Sequence, residues 1–567
     1  MKRAIGTGIQ DFESLRMNNR FYVDKTDFIR EWWDGGDAVT LITRPRRFGK
    51  TLNMSMLNCF FSNKYANRSE LFEGLKVWDA PAMREQQGKW PVIFLSFAGV
   101  KGENYSSTMK QLKYVLVRLF SAHTELYRMN LLDRNEQEAL NQIKADMDDD
   151  VAAMSLNLLS VLLEKIYGKK VLIFLDEYDT PLQEAYVNGY WNELVAFTRT
   201  MFNNSFKTNP SLERGILTGI TRVSKESIFS DLNNLVVVTT TSDMYATSFG
   251  FTQEEVFASL AEQGFGEEAK EDVRMWYDGF TFGSVTDIYN PWSVTNYLNE
   301  GRFDTYWANT SGNGLISKLL RTGRPEIKSQ FEILLGGGEV KVQVDEQIIF
   351  NQLDTNMNAV WSLLLATGYL KVVRFVSKLE AVKTKTRPLY TLRLTNLEVQ
   401  LMFEQMVRDW FSEGDGLSGF AKCMLQGDVR GMDRALNDIM LTSMSSFDGG
   451  KTPSSRMPEN FYHGLVLGLL AESSRDYIVT SNRESGYGRY DVVMEPRDIR
   501  QAAAILEFKV FDPLDEESGL EDTARNALKQ SEEKHYEAGL LARGIQSENI
   551  RKYGFAFKGK ECLIRKG

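Results

Sequence analysis

The stretch Ala38–Thr51, AVTLITRPRRFGKT, decides the fold of the first half of the chain. An apolar run typical of a buried strand leads into a basic turn, and Gly49-Lys50-Thr51 then precede the apolar helical stretch LNMSMLNCFF. A strand, a turn and a helix in this order present backbone N–H groups to phosphate oxygens. The sequence therefore predicts a phosphate-binding loop, with Lys50 on the β- and γ-phosphates and the Thr51 hydroxyl on Mg²⁺.

One position of this loop departs from the pattern GxxxxGK[ST]. Arg44 stands where the pattern has its first glycine, and a residue with a Cβ restricts positive φ at that turn. A solvated basic turn before a helix is the alternative that these residues alone leave open. We expect the whole loop to bind nucleotide through Arg44, Arg46, Arg47, Phe48, Gly49, Lys50 and Thr51.

A second motif favours nucleotide binding. The stretch Val171–Thr180, VLIFLDEYDT, is an apolar strand followed by acids. Such a strand delivers one acid to the Mg²⁺ shell, here Asp176, and the next to the attacking water, here Glu177 as general base. Asp179 either belongs to this group or caps the turn before Pro181. The alternative for the acids is an ordinary solvated strand end.

A third apolar strand, ILTGITRVS, ends in Thr218, Thr221 and Arg222. A polar residue on the strand next to the one that ends in Asp176 could contact the γ-phosphate and so sense its presence. Arg222 would then supply positive charge in the transition state. A salt-bridged loop arginine is the alternative.

The alternation of apolar strands with helical stretches predicts an α/β fold, a P-loop NTPase parallel sheet with helices on both faces. After it, a helix, a hairpin and a second helix predict a winged-helix-like middle region, and a Ser-, Gly- and Pro-rich linker (residues 445–458) precedes a C-terminal α/β domain. The predicted domains are residues 1–310, 311–445 and 446–567. The clearest predicted strands of the first domain are Ala38–Ile42, Val92–Phe97, Val171–Leu175 and Arg214–Ile220.

Composition excludes several other classes of protein. The chain has 567 residues, a net charge of −9, three cysteines and three histidines. Too few cysteines and histidines are present for a zinc module or a disulfide scaffold, and no apolar run is long enough to span a bilayer. The N-terminus lacks the apolar core of a signal peptide, so we expect a cytoplasmic protein.

A second constellation lies near the C-terminus. Asp491 follows the stretch GYGRY, and Glu507 and Lys509 lie in AAAILEFKV. Glu507 and Lys509 project from one face of a strand because they are two residues apart. The acids and a main-chain carbonyl, that of Phe508, can ligate Mg²⁺, while Lys509 positions or helps to deprotonate the attacking water. This is the D…ExK core of the PD-(D/E)xK nucleases.

The register of the hairpin decides which residue of the second strand lies opposite Asp491. A turn centred near Asp498 predicts that Asp491 faces Ile505, with Glu507 as its diagonal neighbour ~7–8 Å away. The apolar flanks of Glu507 indicate a central strand, where a charge needs a reason such as a metal. The alternative is a surface salt bridge between Glu507 and Lys509.

The N-terminal half resembles the AAA-ATPase-like family found in Bacteroidetes and other anaerobes. The resemblance covers about residues 3–310 and includes the absence of the first loop glycine. Two of the shared motifs, WYDGF and YNPWS, are better explained as packing and turn residues than as functional ones. The motifs that carry the resemblance are YVDKT (22–26), TRPRRFGKT (43–51), FLDEYDTP (174–181), GITRV (219–223), FGFTQEE (249–255), WYDGF (276–280), YNPWS (289–293) and YWANT (306–310).

The C-terminal segment resembles the PD-(D/E)xK nuclease superfamily domain that follows the ATPase-like domain in the same family. The resemblance implies that Glu459, in PENFYHGLVLGLL, is an auxiliary acid on the first helix. It also implies that Gln530, in ALKQSEEKHY, lies on a helix near the metal. Lys529, Lys534 and Tyr536 would flank this site.

These patterns predict an ATP-binding and ATP-hydrolysing protein in which ATP and Mg²⁺ gate a Mg²⁺-dependent nuclease. Nucleic acid, DNA first, is the expected partner, no membrane is expected, and a homo-oligomer is one route to gating. Residues 521–567 hold ten Lys and Arg against seven Asp and Glu, a modest phosphate-facing surface. The alternatives are a non-catalytic ATP-dependent switch and a STAND-like sensor. The expected catalytic residues are Glu177, Asp491, Glu507, Lys509, Gln530 and Glu459, and the expected Mg²⁺ ligands are Thr51, Asp176, Asp491 and Glu507.

Overall fold

The computed structural model of the chain contains two compact units. The first comprises Met1–Gly312 and Lys341–Val399, and the second comprises Asn313–Val340 and Gln400–Gly567. Within the residues that the structure describes, every helix is too short or too polar to cross a membrane. Those residues are 2–128, 131–222, 228–229, 232–308, 316–317, 319–320, 325–344, 353, 357–376, 382–383, 388–412, 417–444, 462, 466–467, 470, 476–481, 484–485, 488–489, 491–511, 517–558 and 561–567.

A five-stranded parallel sheet forms the core of the first unit, as the apolar runs predicted. Its strands follow the order β2-β3-β4-β1-β5, and all neighbouring pairs are parallel. Every residue of β1 and β3 is buried, as expected when both faces of a sheet are covered. The strands are β1 (Val39–Thr43), β2 (Val92–Ser96), β3 (Val171–Asp176), β4 (Leu212–Gly219) and β5 (Leu235–Val238).

Helices flank this sheet, and parallel pairing brings the carboxyl ends of its strands to one edge. Thr43 of β1 lies opposite Gly219 of β4, and Leu175 of β3 lies opposite Leu217. Residues that follow β1, β3 and β4 therefore meet there. The helices are α1 (Phe12–Met17), α2 (Asp27–Gly35), α3 (Lys50–Phe61), α4 (Pro81–Gln86), α5 (Tyr105–Ser121), α6 (Glu125–Arg128), α7 (Arg134–Asn141), α8 (Asp149–Tyr167), α9 (Thr180–Asn188) and α10 (Trp191–Phe202).

A small antiparallel sheet follows, in the order β6-β8-β7. Tyr277 and Tyr289, from the WYDGF and YNPWS motifs, are fully buried in one hydrophobic cluster there, in agreement with a packing role. The elements are β6 (Phe251–Thr252), α11 (Gln253–Glu262), α12 (Glu268–Tyr277), β7 (Phe280–Phe282), β8 (Val285–Tyr289) and α13 (Pro291–Glu300).

The middle of the chain has the predicted order of helix, antiparallel strand pair and helix. The strands β10 and β11 pair with a register shift between Val372 and Arg374. The assignment of this order to a winged helix stays a prediction. The elements are α14 (Pro325–Leu335), β9 (Val340–Val342), α15 (Met357–Ala366), β10 (Leu370–Val376), β11 (Leu389–Leu394), α16 (Leu397–Ser412), α17 (Leu417–Gln426) and α18 (Val429–Met444).

The second unit is built on a mixed five-stranded sheet in the order β12-β15-β16-β17-β18. Only β16 and β17 are parallel. One predicted strand, 487–494, is two strands in separate sheets, because β14 pairs with β13 instead of continuing into β15. The elements are β12 (Tyr477–Ser481), β13 (Glu484–Ser485), β14 (Gly488–Arg489), β15 (Val492–Pro496), β16 (Ala503–Val510), α19 (Leu520–Glu533), α20 (Ala538–Ala542), β17 (Ile550–Lys558) and β18 (Glu561–Lys566).

The helices α17 and α18 share a hydrophobic core with this C-terminal sheet. Met424, Met432 and Leu436 are fully buried against residues of β16 and β17 such as Phe508 and Phe555. The Asn437 side chain also donates to the carbonyl of Cys562 and accepts from its N–H, at 2.9 and 3.0 Å. The three predicted domain ranges stay a prediction, but these helices pack with the residues that follow them.

Candidate nucleotide-binding and nuclease sites

The basic loop after β1 ends in a turn that starts α3. Gly49 has a left-handed backbone (φ 81°) and is the N-cap of α3, whose first residues are Lys50 and Thr51. A glycine is suited to this conformation because it has no Cβ. The loop thus directs the N-terminus of a twelve-residue helix at the carboxyl edge of the sheet, where backbone N–H groups can bind an anion.

The Lys50 side chain lies inside the loop. Its ammonium group donates to the carbonyl oxygens of Arg44 and Pro45, both at 3.0 Å, and lies 3.8 Å from a carboxylate oxygen of Glu177. The side chain is buried, with 3% exposed. The predicted phosphate-binding lysine therefore lies between the loop and the acids that follow β3.

Arg44 does not need the backbone freedom of a glycine. The left-handed residues of this loop are Arg47 (φ 65°) and Gly49. The loop therefore does not require a positive φ at position 44, and the Cβ of Arg44 does not hinder its formation. The Arg44 guanidinium is buried, donates to the carbonyls of Thr239 and Met244, and lies over the Phe282 ring at 4.3 Å. Burial lowers its pKa to about 9. Its side chain thus braces the segment after β5, and only its carbonyl contacts Lys50.

The other loop arginines are exposed. Arg46 donates to the Gln183 side chain at 3.3 Å, and Arg47 lies over the Trp292 ring at 4.4 Å. Phe48 is buried and packs edge-on against Phe280. The exposed guanidinium groups are thus placed to reach a ligand, whereas Phe48 anchors the loop.

Asp176, the last residue of β3, joins the two predicted halves of the site. Its carboxylate accepts hydrogen bonds from the Thr51 hydroxyl at 2.8 Å and from the Thr218 hydroxyl at 2.5 Å. Burial and the neighbouring Glu177 raise its pKa, while these two hydroxyls and Lys50 counteract the shift. The start of α3 and the neighbouring strand β4 therefore both contact the one buried carboxylate at the end of β3.

Glu177 has a left-handed backbone, with φ 54°. A non-glycine residue is strained in this region, and such strain concentrates at functional sites. Its side chain is 20% exposed and accepts a 3.3 Å hydrogen bond from the Thr180 hydroxyl. Glu177 is thus the more accessible of the paired acids, as a general base requires.

Asp179 does more than cap a turn. Its Oδ2 atom accepts hydrogen bonds from the N–H groups of Ile220 and Thr221 at 3.0 and 2.9 Å, and from the Thr221 hydroxyl at 3.0 Å. Burial and the Glu177 charge raise its pKa. Asp179 thereby fixes the end of β4 and the start of the loop that carries Arg222.

A cavity of about 420 Å³ opens over the loop. Its volume falls in the range of small-molecule sites, ~300–1,000 Å³. Residues 46–53 and Glu177 line it together with apolar residues from other segments. These include Ile9, Phe21, Phe251 and Trp292, and the basic residue Lys101, which follows β2, also lines the cavity.

In the second unit, β15 and β16 form the predicted hairpin in a different register. Val493 pairs with Ile505 and Val492 with Leu506, so Asp491 does not face Ile505 as expected. The continued register places Asp491 directly opposite Glu507. Directly opposed residues project from the same face with Cβ atoms ~4.5–5.5 Å apart. The acids are therefore closer than the diagonal arrangement implied.

Both acids are held by hydrogen bonds. The Phe508 N–H donates to Asp491 at 2.8 Å, and the Gln530 side-chain amide donates to Glu507. Burial raises the pKa of Asp491, while the Phe508 N–H and the Lys509 charge act against the shift. Glu507 is 2% exposed and Lys509 half-buried. The residues Asp491, Glu507, Lys509 and Gln530 thus form one group.

Gln530 reaches this group because α19 approaches the sheet closely. Gly554 pairs with Glu507 across β16 and β17, and a Cβ at Gly554 would lie 2.4 Å from the carbonyl oxygen of Ala524 in α19. A glycine is therefore needed at this contact. Tyr536 is buried and is hydrogen-bonded to Gln530, and burial raises its pKa.

The structure describes several of the other predicted residues. Lys529 and Lys534 are exposed on and just after α19, and Lys529 pairs with Glu533 at 3.7 Å. Glu459 lies outside the described residues. Arg222 is described, and its Nε atom has no hydrogen-bond partner among the described residues.

Comparison with known proteins agrees with both family resemblances. Residues 6–229 match the family model described as "Predicted AAA-ATPase" (AAA-ATPase_like), and residues 457–567 match the model described as "PD-(D/E)XK nuclease superfamily". The chain contains an AAA-ATPase-like domain and a PD-(D/E)XK nuclease superfamily domain. Both resemblances seen in the sequence are confirmed, and the two families indicate ATPase and nuclease-type activities.

One relative of similar length is a protein of Azotobacter chroococcum mcd 1. It is described as an uncharacterized protein in the vnfD 5' region, and it is 23% identical over 401 residues. The alignment covers 70% of this chain and 69% of the relative. The similarity therefore extends beyond the AAA-ATPase-like domain alone.

The residues of both domains fit Mg²⁺. Two neighbouring ligands of an octahedral Mg²⁺ with bonds of ~2.0–2.1 Å lie roughly 3 Å apart. The Thr51 hydroxyl and the Asp176 carboxylate are 2.8 Å apart, so they fit as adjacent ligands. In the nuclease domain, Asp491 and Glu507 supply two carboxylates. Among the described residues no group of three or more His, Cys, Asp or Glu side chains gathers, so further ligands there would be a carbonyl, water or residues such as Glu459.

Several residues near the nucleotide cavity were not predicted from the sequence. Lys101 follows β2 on the carboxyl edge of the sheet, and this position was the signal that could have identified it. Trp292 belongs to the YNPWS motif and contacts Arg47. Trp307 belongs to the YWANT motif, whereas Glu398 has no local sequence signal, because its contacts join distant segments.

Proposed function

We propose that this protein is an ATP-regulated nuclease that cleaves nucleic acid, with DNA as the first candidate, in a Mg²⁺-dependent reaction. The observation that carries the proposal is the group around Glu507. Asp491 is placed opposite it by the register of β15 and β16, Lys509 lies two residues further along its strand, and Gln530 donates to its carboxylate. A buried and a half-buried acid beside a lysine suit the hydrolysis of a phosphodiester.

Each residue of the group has a separate task in this proposal. Asp491 and Glu507 hold Mg²⁺, which when bound polarises the phosphate and lowers the pKa of a coordinated water. Lys509 orients the attacking water and offsets phosphate charge. Gln530 fixes the Glu507 carboxylate, and Glu459 is proposed as an auxiliary acid.

The AAA-ATPase-like domain is proposed to bind and hydrolyse ATP. The N-terminus of α3 and Lys50 receive the phosphates, with Arg46, Arg47 and Arg222 as further cationic groups. Thr51 and Asp176 hold the accompanying Mg²⁺, and Glu177 accepts a proton from the attacking water. The 420 Å³ cavity over the loop supports this role because it leaves room for a nucleotide.

Cleavage of labelled single- and double-stranded DNA and RNA by the full chain tests the nuclease. The reaction is run with Mg²⁺ or EDTA, and with or without ATP. Asp491→Asn and Glu507→Gln should abolish cleavage. The matched control is Asp498→Asn in the exposed turn of the same hairpin, where Asp498 pairs with Arg500 at 2.6 Å, and it should cleave as the wild type does.

Lys50→Ala tests the regulation, with the exposed α5 residue Lys110→Ala as the control. If ATP gates the nuclease, Lys50→Ala removes the effect of ATP on cleavage and Lys110→Ala leaves it intact. Cleavage that is indifferent to ATP and to Lys50→Ala overturns the gating. Nucleic-acid binding without cleavage, unchanged by Asp491→Asn, favours the non-catalytic switch, and ATP-dependent oligomerisation without cleavage favours the STAND-like sensor.

A further inference from the structure

The backbone of the phosphate-binding loop accepts hydrogen bonds from residues that lie beyond the AAA-ATPase-like family match. The Arg46 carbonyl accepts hydrogen bonds from the Trp307 indole N–H at 3.1 Å and from the Asn290 amide at 3.5 Å. That match ends at residue 229. Part of the loop's geometry is therefore set by later segments of the chain.

A second contact reaches the same loop from the middle region. Gly368 has a left-handed backbone, with φ 88°, and a Cβ there would lie 2.9 Å from the Pro45 ring and 2.9 Å from the Phe280 ring. The turn between α15 and β10 thus packs directly on Pro45, the residue before Arg46. The Thr395 hydroxyl donates to the Gly368 carbonyl at 2.7 Å and ties this turn to the segment before α16.

Glu398, in the first turn of α16, connects these contacts. Its fully buried carboxylate accepts hydrogen bonds from the backbone N–H groups of Trp307 at 2.6 Å and Ala308 at 3.3 Å, and from the Ser293 hydroxyl at 2.8 Å. A buried carboxylate with three donors fixes its partners firmly. Glu398 therefore fixes the backbone that carries the Trp307 indole.

We infer that Trp307 and Glu398 are positioning residues for the phosphate-binding loop, so that the packing of residues 357–376 and 388–399 and the binding of nucleotide are coupled. The inference rests on the proposed ATP binding. Coupling is reciprocal: a nucleotide that orders the loop must also stabilise the segment that holds it. The affected segment includes the start of α16, the helix in which the chain passes from the first unit to the second.

Substitutions can separate this role from general stability. Trp307→Phe removes the indole N–H but keeps a ring against Phe280 and Tyr369, its neighbours at 5.6 and 5.3 Å. Glu398→Leu removes all three acceptor contacts, whereas Glu398→Gln keeps a carbonyl oxygen for the Trp307 and Ala308 N–H groups. Trp276→Phe, in the hydrophobic cluster of β6–β8, is the matched control.

The experiment measures the Kd of the full chain for ATP by calorimetry, and amide hydrogen exchange with and without ATP. We expect Trp307→Phe to weaken ATP binding ~3- to 10-fold, the equivalent of one hydrogen bond, and Glu398→Leu to weaken it more. Glu398→Gln and Trp276→Phe should bind as the wild type does. In the wild type, ATP should slow exchange in peptides of 357–376 and 388–399, and Trp307→Phe should lose that protection while its exchange without ATP is unchanged.

The outcomes distinguish the inference from the proposed function. A wild-type chain that binds ATP, together with Trp307→Phe and Glu398→Leu proteins that show the same Kd and the same protection, overturns the coupling alone. A folded wild-type chain that binds no ATP overturns the proposed function and the inference with it. If Glu398→Leu does not fold, the Trp307→Phe and Glu398→Gln pair still decides the result.

Discussion

The Thr51 hydroxyl donates a 2.8 Å hydrogen bond to the Asp176 carboxylate and so joins the start of α3 to the end of β3. The two residues are 125 positions apart in the sequence. Asp176 also accepts from Thr218 of β4, which lies between β1 and β3 in the sheet. One buried acid thus fixes the ends of β3 and β4 and the start of α3 around the place proposed for Mg²⁺.

Substitution of Thr51 should separate nucleotide binding from metal use. Thr51→Ala removes the hydroxyl ligand, so we expect ATP hydrolysis at limiting Mg²⁺ to fall at least ~10-fold, while Thr51→Ser retains it. A Mg²⁺ titration of ATPase activity measures the change. Thr200→Ala, which removes an exposed hydroxyl of α10, is the control. Equal Mg²⁺ dependence in Thr51→Ala and wild type would contradict the assigned role.

Substitution of Asp491 should raise the stability of the protein and lower its nuclease activity. Burial raises the pKa of this carboxyl, so its charged form costs folding free energy at neutral pH without metal. Asp491→Asn removes the charge and keeps an oxygen that can accept from the Phe508 N–H. We expect a higher Tm than wild type in EDTA at pH 8, and cleavage reduced at least ~100-fold.

Mg²⁺ supplies the control for this prediction. Addition of Mg²⁺ should raise the Tm of the wild type, since the metal binds the folded carboxylates, and should leave Asp491→Asn unchanged. A wild-type Tm that does not respond to Mg²⁺ would argue that Asp491 and Glu507 hold no metal.

Gly554 should be intolerant of a side chain. A Cβ there would meet the Ala524 carbonyl at 2.4 Å and the Leu528 N–H at 2.9 Å, so Gly554→Ala must push α19 away from the sheet. We expect a loss of ~1–3 kcal/mol of stability and a larger loss of cleavage than of stability, because Gln530 moves with the helix. Urea unfolding and the cleavage assay measure the two effects. Gly519→Ala, with open space around the added Cβ, should be neutral, and an equally neutral Gly554→Ala would contradict the close packing.

Local pattern was enough to predict the parallel sheet and the loop. The strands β1 and β3 are fully buried and therefore read as continuous apolar runs, and Gly49-Lys50-Thr51 lies where a strand gives way to a helix. The strand β5 (Leu235–Val238) was missed because its apolar run, LVVV, is only four residues long. Pattern thus identifies longer apolar strands better than short ones.

Long-range contacts were not predictable in the same way. The nuclease hairpin turns one position later than assumed, and this difference moved Asp491 from a diagonal to a direct position opposite Glu507. Arg44 was expected at the phosphates, but its guanidinium finds carbonyl acceptors at Thr239 and Met244. The contact of Trp307 with the Arg46 carbonyl joins segments that are 261 residues apart, and no local sequence pattern predicts a contact over that distance.

Glu398 should make the stability of the first unit depend on pH. Burial raises its pKa to about 7 from 4.5, and the Ser293, Trp307 and Ala308 donors only partly offset this. The folded state thus retains a proton that the unfolded state releases at lower pH, so the free energy of unfolding should decrease as pH rises from about 4.5 to about 7. The total effect is on the order of 3 kcal/mol. Urea unfolding of wild type and Glu398→Gln between pH 4.5 and 8 measures it. Glu398→Gln cannot ionise, so its curve should be flatter by that amount, and parallel curves would show that Glu398 is charged in the folded state throughout.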